Sequence, residues 1–76
     1  MSFEQVKEII VDTINCEEDK VTLDATLKDD IGIDSLDAME LSMALEEAFS
    51  LTIEEEALQK FETVKDIVEY IDSQTE

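Results

Sequence analysis

The stretch Asp34-Ser35-Leu36-Asp37-Ala38-Met39-Glu40-Leu41-Ser42-Met43-Ala44-Leu45-Glu46-Glu47-Ala48-Phe49 decides the fold. From Leu36 to Phe49 it is dominated by strong helix formers, and it holds neither glycine nor proline. A helix is expected to begin at Asp34 or Ser35. Leu36, Met39, Met43, Leu45 and Phe49 supply much of its apolar surface. Leu36, Glu40, Met43 and Glu47 follow three- and four-residue steps, so they share one face.

Upstream, residues 16 to 34 form the longest stretch without a strong helical signal. Val21, Leu23, Leu27, Ile31 and Ile33 are apolar there but irregularly spaced. A loop of that length is usually functional or pinned to the core, and its apolar residues argue for pinning. Thr26 with Asp29 is expected to cap one short turn, which Gly32 ends. Further back, Ser2 with Gln5 reads as a capping box. Phe3, Val6, Ile10 and Ile14 then recur at helical spacing, opposite the charged Glu4, Lys7, Glu8 and Asp12. This helix should stop near Asn15 and Cys16.

Downstream, a weaker helical piece covers Glu54 to Lys60, with Ile53, Ala57, Leu58 and Phe61 facing inward. Thr63 with Asp66 marks another cap, and Val64, Ile67, Val68 and Ile71 give the last helix its inner face. No segment alternates apolar and polar residues long enough to make a strand. The expectation is an all-α protein: a four-helix bundle with three main helices, one short helix and a long first loop, in a single domain over residues 1–76.

A chain of 76 residues holds one modest core and no large enzyme cleft. Five basic residues stand against 22 acidic ones, for a formal net charge of -17. Nucleic acid and anionic membranes would be repelled. Proteins with basic patches would be attracted, with salt weakening the encounter. The charge also serves the plainer purpose of keeping a small protein soluble. Cys16 is the only cysteine, so no internal disulfide forms, which fits a reducing compartment. A secretory signal pattern and an apolar run of roughly 18 residues are both missing. A cytoplasmic monomer without membrane insertion is expected.

Ser35 sits where an ordered loop becomes a helix, next to free backbone N–H groups. Those groups and the helix dipole favour an attached anion such as a phosphodiester. Asp34 and Asp37 oppose that by repulsion, unless they hold a divalent cation or meet a basic partner during attachment. Taken bare, Asp-Ser-Leu is a common tripeptide, and a serine at a helix start is an N-cap in most proteins. The chain has no histidine, and the motif has no lysine to deprotonate the hydroxyl. No residue is therefore assigned as catalytic, and another enzyme must activate Ser35 if it reacts. The acidic group Asp29, Asp30, Asp34 and Asp37 does not match an EF-hand loop, and no metal site is assigned. Cys16 reads as a small hydrophobe.

The wider pattern is Ile31-Gly32-Ile33-Asp34-Ser35-Leu36-Asp37, Glu40-Leu41, Met43-Ala44-Leu45-Glu46-Glu47 and Phe49. With Val6-Lys7 to Ile10, Ile53 to Phe61 and Thr63-Val64 to Tyr70-Ile71, it closely resembles the acyl carrier proteins of type II fatty acid synthesis. The resemblance covers nearly the whole chain. It implies that Ser35 receives 4'-phosphopantetheine from coenzyme A through a holo-acyl-carrier-protein synthase, and that the arm's thiol bears the acyl group. Asp34 matches the aspartate that helps position the transferase and its magnesium ion. Leu36, Asp37, Glu40, Met43, Glu46 and Glu47 match the helix read by basic-patched fatty acid synthesis enzymes. The mix of carboxylates with Leu and Met suits brief docking to many partners. Leu45, Ile53, Leu58, Phe61, Ile67 and Tyr70 match the family's acyl-chain lining, although periodicity alone makes them ordinary core.

The chain departs from that family pattern at Ser42, where Val or Ile is usual, at Phe61, where Ile is usual, and at Glu54, which replaces a common proline. A smaller or differently shaped cavity is expected. Two other readings stay open at this point. One is a specialised carrier for polyketide, amino acid or other acyl transfer; Gly-Ile-Asp-Ser-Leu differs from the Gly-Gly-His-Ser-like motif of peptidyl carriers and the Asp-Ser-Phe of D-alanyl carriers, which leaves a dedicated acyl carrier of another pathway. The other is an acidic helical interaction module without a prosthetic group.

Overall fold

The computed structural model describes residues 2–75. Its helices are α1 (Phe3–Ile14), α2 (Ser35–Phe49), α3 (Glu55–Lys60) and α4 (Val64–Thr75), and the described residues contain no strand. The bundle is all-α, with three main helices and one short one, as the periodicity implies. Residues 15–34 join α1 to α2 and hold two short turns: a 3-10 turn at Glu18–Lys20 and a π turn at Leu27–Ile31.

The helix ends follow the local chemistry. Asn15 closes α1 in the left-handed region, donating its N–H to the Val11 carbonyl. Asp34 caps α2, and its carboxylate accepts the Asp37 N–H at 2.8 Å. The N–H of Thr63 donates to the Asp66 carboxylate at 3.1 Å, while the Asp66 N–H donates to the Thr63 hydroxyl at 3.3 Å. This is the reciprocal box expected there.

Two expected caps differ. Ser2 does not form a box with Gln5: its side chain makes no cap hydrogen bond to α1. Instead the Ser2 hydroxyl and N–H both donate to Asp72 of α4, at 2.7 and 3.1 Å. A buried Ser2 gains more from a carboxylate already beside it than from its own helix end. The partner of Thr26 is Asp30 rather than Asp29: the Asp30 N–H donates to the Thr26 hydroxyl, and the Asp30 carboxylate accepts from the Thr26 N–H and hydroxyl. The π turn explains the slip, because its wider coil adds a residue to the usual spacing. Gly32 ends the turn in the left-handed region, as expected.

The long loop is pinned to the core. Val21, Ala25 and Ile33 are buried with Val6 and Ile10 of α1, Leu41 and Leu45 of α2 and all four expected residues of α4. Full burial of each large aliphatic side chain contributes about 1.5–3 kcal/mol before entropy is counted. Backbone bonds complete the anchor. The Val64 and Lys65 N–H groups, orphaned at the start of α4, donate to the carbonyls of Ala25 and Leu23 at 3.1 and 3.0 Å. Leu27 N–H donates to Glu62 at 2.9 Å beside a Thr26–Thr63 bridge. The loop thus lies against the α3–α4 junction and brings its π turn next to the start of α2.

Candidate functional site

Asp34, not Ser35, is the N-cap of α2. Ser35 occupies the first helical position, and its side chain is exposed. The tripeptide taken alone left the serine as a cap. With the cap supplied by Asp34, the Ser35 hydroxyl has no structural duty at the helix end. The Ala38 N–H already donates to Asp34 O, and the Asp37 N–H to the Asp34 carboxylate. The first-turn N–H groups of Ser35 and Leu36 remain without intrahelical partners by helix geometry, and free N–H groups at a helix start favour an anion.

Ser35 stands on the rim of a groove of ≈ 610 Å³ between the π turn, α2, α3 and α4. That is a size that small-molecule sites commonly have, roughly 300–1,000 Å³. The rim is polar, with Lys28, Asp29, Asp34 and Glu62 all exposed. The floor is apolar: Leu41, Leu45 and Ile67 are buried, and Leu58 and Phe61 are half-buried. A second groove of ≈ 560 Å³ runs along the other side of the α2–α3 seam past Met39, Met43 and Ile53. Ser35, Ala38, Ser42 and Leu58 line both grooves and so form the ridge between them.

Of the six expected lining residues, Leu45, Leu58, Phe61 and Ile67 meet in the first groove. Ile53 faces the second. Tyr70 lines neither: its hydroxyl donates to the Thr52 carbonyl at 3.2 Å, and its ring packs edge-on against Phe61 with centroids 5.5 Å apart. Phe61 is thereby backed by Tyr70. Ser42 puts its hydroxyl into a 2.8 Å bond to the Met39 carbonyl, so the ridge carries a polar atom already satisfied within α2. Thr26, Leu27, Lys28, Ile33, Ala38 and Leu41 also line the first groove, a role that the sequence does not assign to them: Thr26 reads there as a cap, and Leu27 and Ile33 as residues that pin the loop. The helical step from Leu45 back to Leu41 and Ala38 was the signal for two of them; for the loop residues no periodic signal exists.

Among the described residues, Leu36, Met39 and Met43 are the large hydrophobic side chains that stand well exposed, at 66%, 59% and 63%. Among the carboxylates of α2, Glu40 and Glu47 are exposed beside them. Asp37 is half-buried and returns a weak 3.5 Å contact to the Asp34 N–H. Glu46 differs from the others. Its carboxylate accepts the Ile53 N–H at 2.8 Å, tying the α2–α3 connection to the body of α2. Asp34, Leu36, Glu40, Met43 and Glu47 therefore lie open to solvent, whereas Glu46 has one oxygen committed to the fold.

Asp66 carries a pKa held below the usual carboxylate range, chiefly by the N–H bonds it accepts from Glu62 and Thr63. It serves the α4 cap and lies outside both grooves. No group of three or more metal-binding side chains forms among the described residues. Among the same residues, no helix is long and apolar enough to cross a membrane.

An exposed serine without a capping duty, at a helix N-terminus, beside an apolar groove, fits a covalently tethered phosphorylated arm. Comparison with known proteins agrees. A family model described as "Phosphopantetheine attachment site" matches residues 4–71. An acyl carrier protein of Petrotoga mobilis is 54% identical over 66 residues, covering 87% of this chain and 78% of its own. An acyl carrier protein of Clostridium perfringens is 49% identical over 74 residues, 97% of each chain. The chain belongs to the phosphopantetheine attachment-site family, among its acyl carrier proteins.

Proposed function

We propose that this chain carries acyl intermediates of fatty acid biosynthesis on a 4'-phosphopantetheine arm attached to Ser35. The observation that supports it most is the release of Ser35 from capping by Asp34, at the rim of a groove with an apolar floor. When bound, the arm supplies a thiol on which an acyl group is held as a thioester. The chain's own residues do the rest. Ser35 Oγ is the point of attachment, and the free N–H groups at the start of α2 would favour the phosphodiester's negative charge there. Leu45, Leu58, Phe61 and Ile67 offer the acyl chain an apolar refuge from water.

The chain itself carries rather than catalyses. It lacks histidine, so the holo-acyl-carrier-protein synthase must activate the hydroxyl, with Asp34 helping to place that enzyme and its magnesium ion. Partner enzymes with basic patches would meet Leu36, Asp37, Glu40, Met43 and Glu47, charge guiding the encounter and the apolar side chains completing the fit. Glu46 contributes through its second oxygen while holding Ile53. A reducing cytoplasm suits a monomer whose working group is a free thiol.

Thiol counting tests the reading. In a Cys16→Ser variant the apo-protein has no thiol, so incubation with coenzyme A and a holo-synthase should create one reactive thiol per chain. Acylation of the loaded protein should then mask it. If no thiol arises, Ser35 carries no such arm.

A further inference from the structure

Five basic residues are spread over this chain, as Lys7, Lys20, Lys28, Lys60 and Lys65. Only Lys28 lines the groove that has Ser35 on its rim, and no lysine lines the groove on the other side of the ridge. The other charged residues of the first groove are Asp29, Asp34 and Glu62, all acidic. A phosphodiester on Ser35 would add a further negative charge to that surface, and Lys28 is the cation placed to offset it.

The backbone that presents Lys28 is held firmly. Lys28 is the second residue of the π turn. Before it, the Leu27 N–H donates to Glu62 at 2.9 Å, and the Leu27 carbonyl accepts from Ile33 at 2.7 Å. Around it, Thr26 and Asp30 close on each other through side chain and backbone. The side chain itself is exposed, so a long, mobile ammonium stem extends from a fixed point on the rim.

We infer that Lys28 is a positioning residue for the arm, its ammonium pairing with the phosphodiester on Ser35 across the mouth of the groove. The pairing turns the arm toward the apolar floor rather than toward the second groove, which has no cation. It is solvent-exposed, so salt weakens it. The inference rests on attachment at Ser35.

The test uses holo-protein and the phosphorus-31 resonance of its phosphodiester. Wild-type, Lys28→Gln and Lys60→Gln chains are loaded, and loading is verified by mass before any spectrum is read. Lys60 lies at the end of α3 and lines neither groove, so it controls for loss of one charge. The expected result is a changed phosphorus shift in Lys28→Gln but not in Lys60→Gln. The salt dependence of the wild-type shift should also be lost in Lys28→Gln, and the side-chain ε-methylene resonance of Lys28 should move between apo and holo wild-type. Identical phosphorus spectra and salt responses in the three loaded chains, with an unmoved Lys28 resonance, overturn the pairing. Failure to load wild-type protein at all would instead remove the attachment on which the pairing depends.

Discussion

The carboxylate of Asp34 accepts the backbone N–H of Asp37 at 2.8 Å, and this one bond sets the state of the serine between them. It closes the start of α2, so Ser35 is held in a helical turn while its hydroxyl stays free. Asp34 therefore has two separable contributions, one to the helix end and one to the proposed meeting with the transferase. Asp34→Ala should cost about 1 kcal/mol, the usual loss on removing a cap. For a domain of this size that lowers the melting temperature by roughly 4–8 °C. Asp34→Asn should keep the cap and the melting temperature yet load more slowly, because amide and carboxylate cap about equally well. Equal loading of Asp34→Asn and wild type would remove the charge from the transferase reaction.

Asp66 gives a pH prediction with a definite sign. Its pKa is lowered in the folded state by the N–H groups of Glu62 and Thr63. The stability it contributes is therefore complete above the unfolded carboxylate value, near 4, and is lost as pH falls through the lower folded value. Asp66→Asn should be less stable than wild type at pH 7 in urea unfolding, and the gap should close in acid. A gap that stays constant with pH would mean that the ionised carboxylate is not what holds the cap.

The net charge of -17 on 76 residues predicts a salt effect. Self-repulsion opposes the compact state, and total stability in so small a domain is only a few kcal/mol. Added sodium chloride or magnesium chloride should raise the melting temperature of the apo-protein in scanning calorimetry. Insensitivity to both would show that the charges are already compensated.

Phe61 and Tyr70 predict how far a chain reaches into the first groove. The Phe61 ring lines the floor and is backed by Tyr70, itself held by Thr52. Phe61→Ile should deepen the groove, at a cost of about 0.5–1.5 kcal/mol for the lost ring contact. Hydrolysis rates of acyl thioesters of increasing length should then fall for the longest chains relative to wild type. If long chains are protected equally in both proteins, Phe61 does not limit the groove.

Much of this was legible in the sequence because it is periodic or local. Val64, Ile67, Val68 and Ile71 recur at helical spacing and are all buried, and Thr63 finds Asp66 three residues on. What was not legible depends on partners that spacing does not encode. Ser2 pairs with Asp72, 70 residues away, a choice made by the packing of α4 against α1. Thr26 takes Asp30 because the turn is π rather than α. Glu46 looks like its neighbours on α2 until the next loop brings the Ile53 N–H to it. Lys28 follows no periodic pattern, and it is the π turn that sets it on the same groove as Ser35. What singles out Ser35 is a resemblance over nearly the whole chain. Its tripeptide alone could not separate a cap from an attachment point.

The central claim is attachment at Ser35, and fragment mass spectrometry after incubation with coenzyme A, magnesium and a holo-acyl-carrier-protein synthase tests it most directly. The account predicts a gain of one phosphopantetheine in wild type, carried on the fragment ion that contains Ser35, and no gain in Ser35→Ala. No gain in wild type, or a gain that persists in Ser35→Ala, would contradict it.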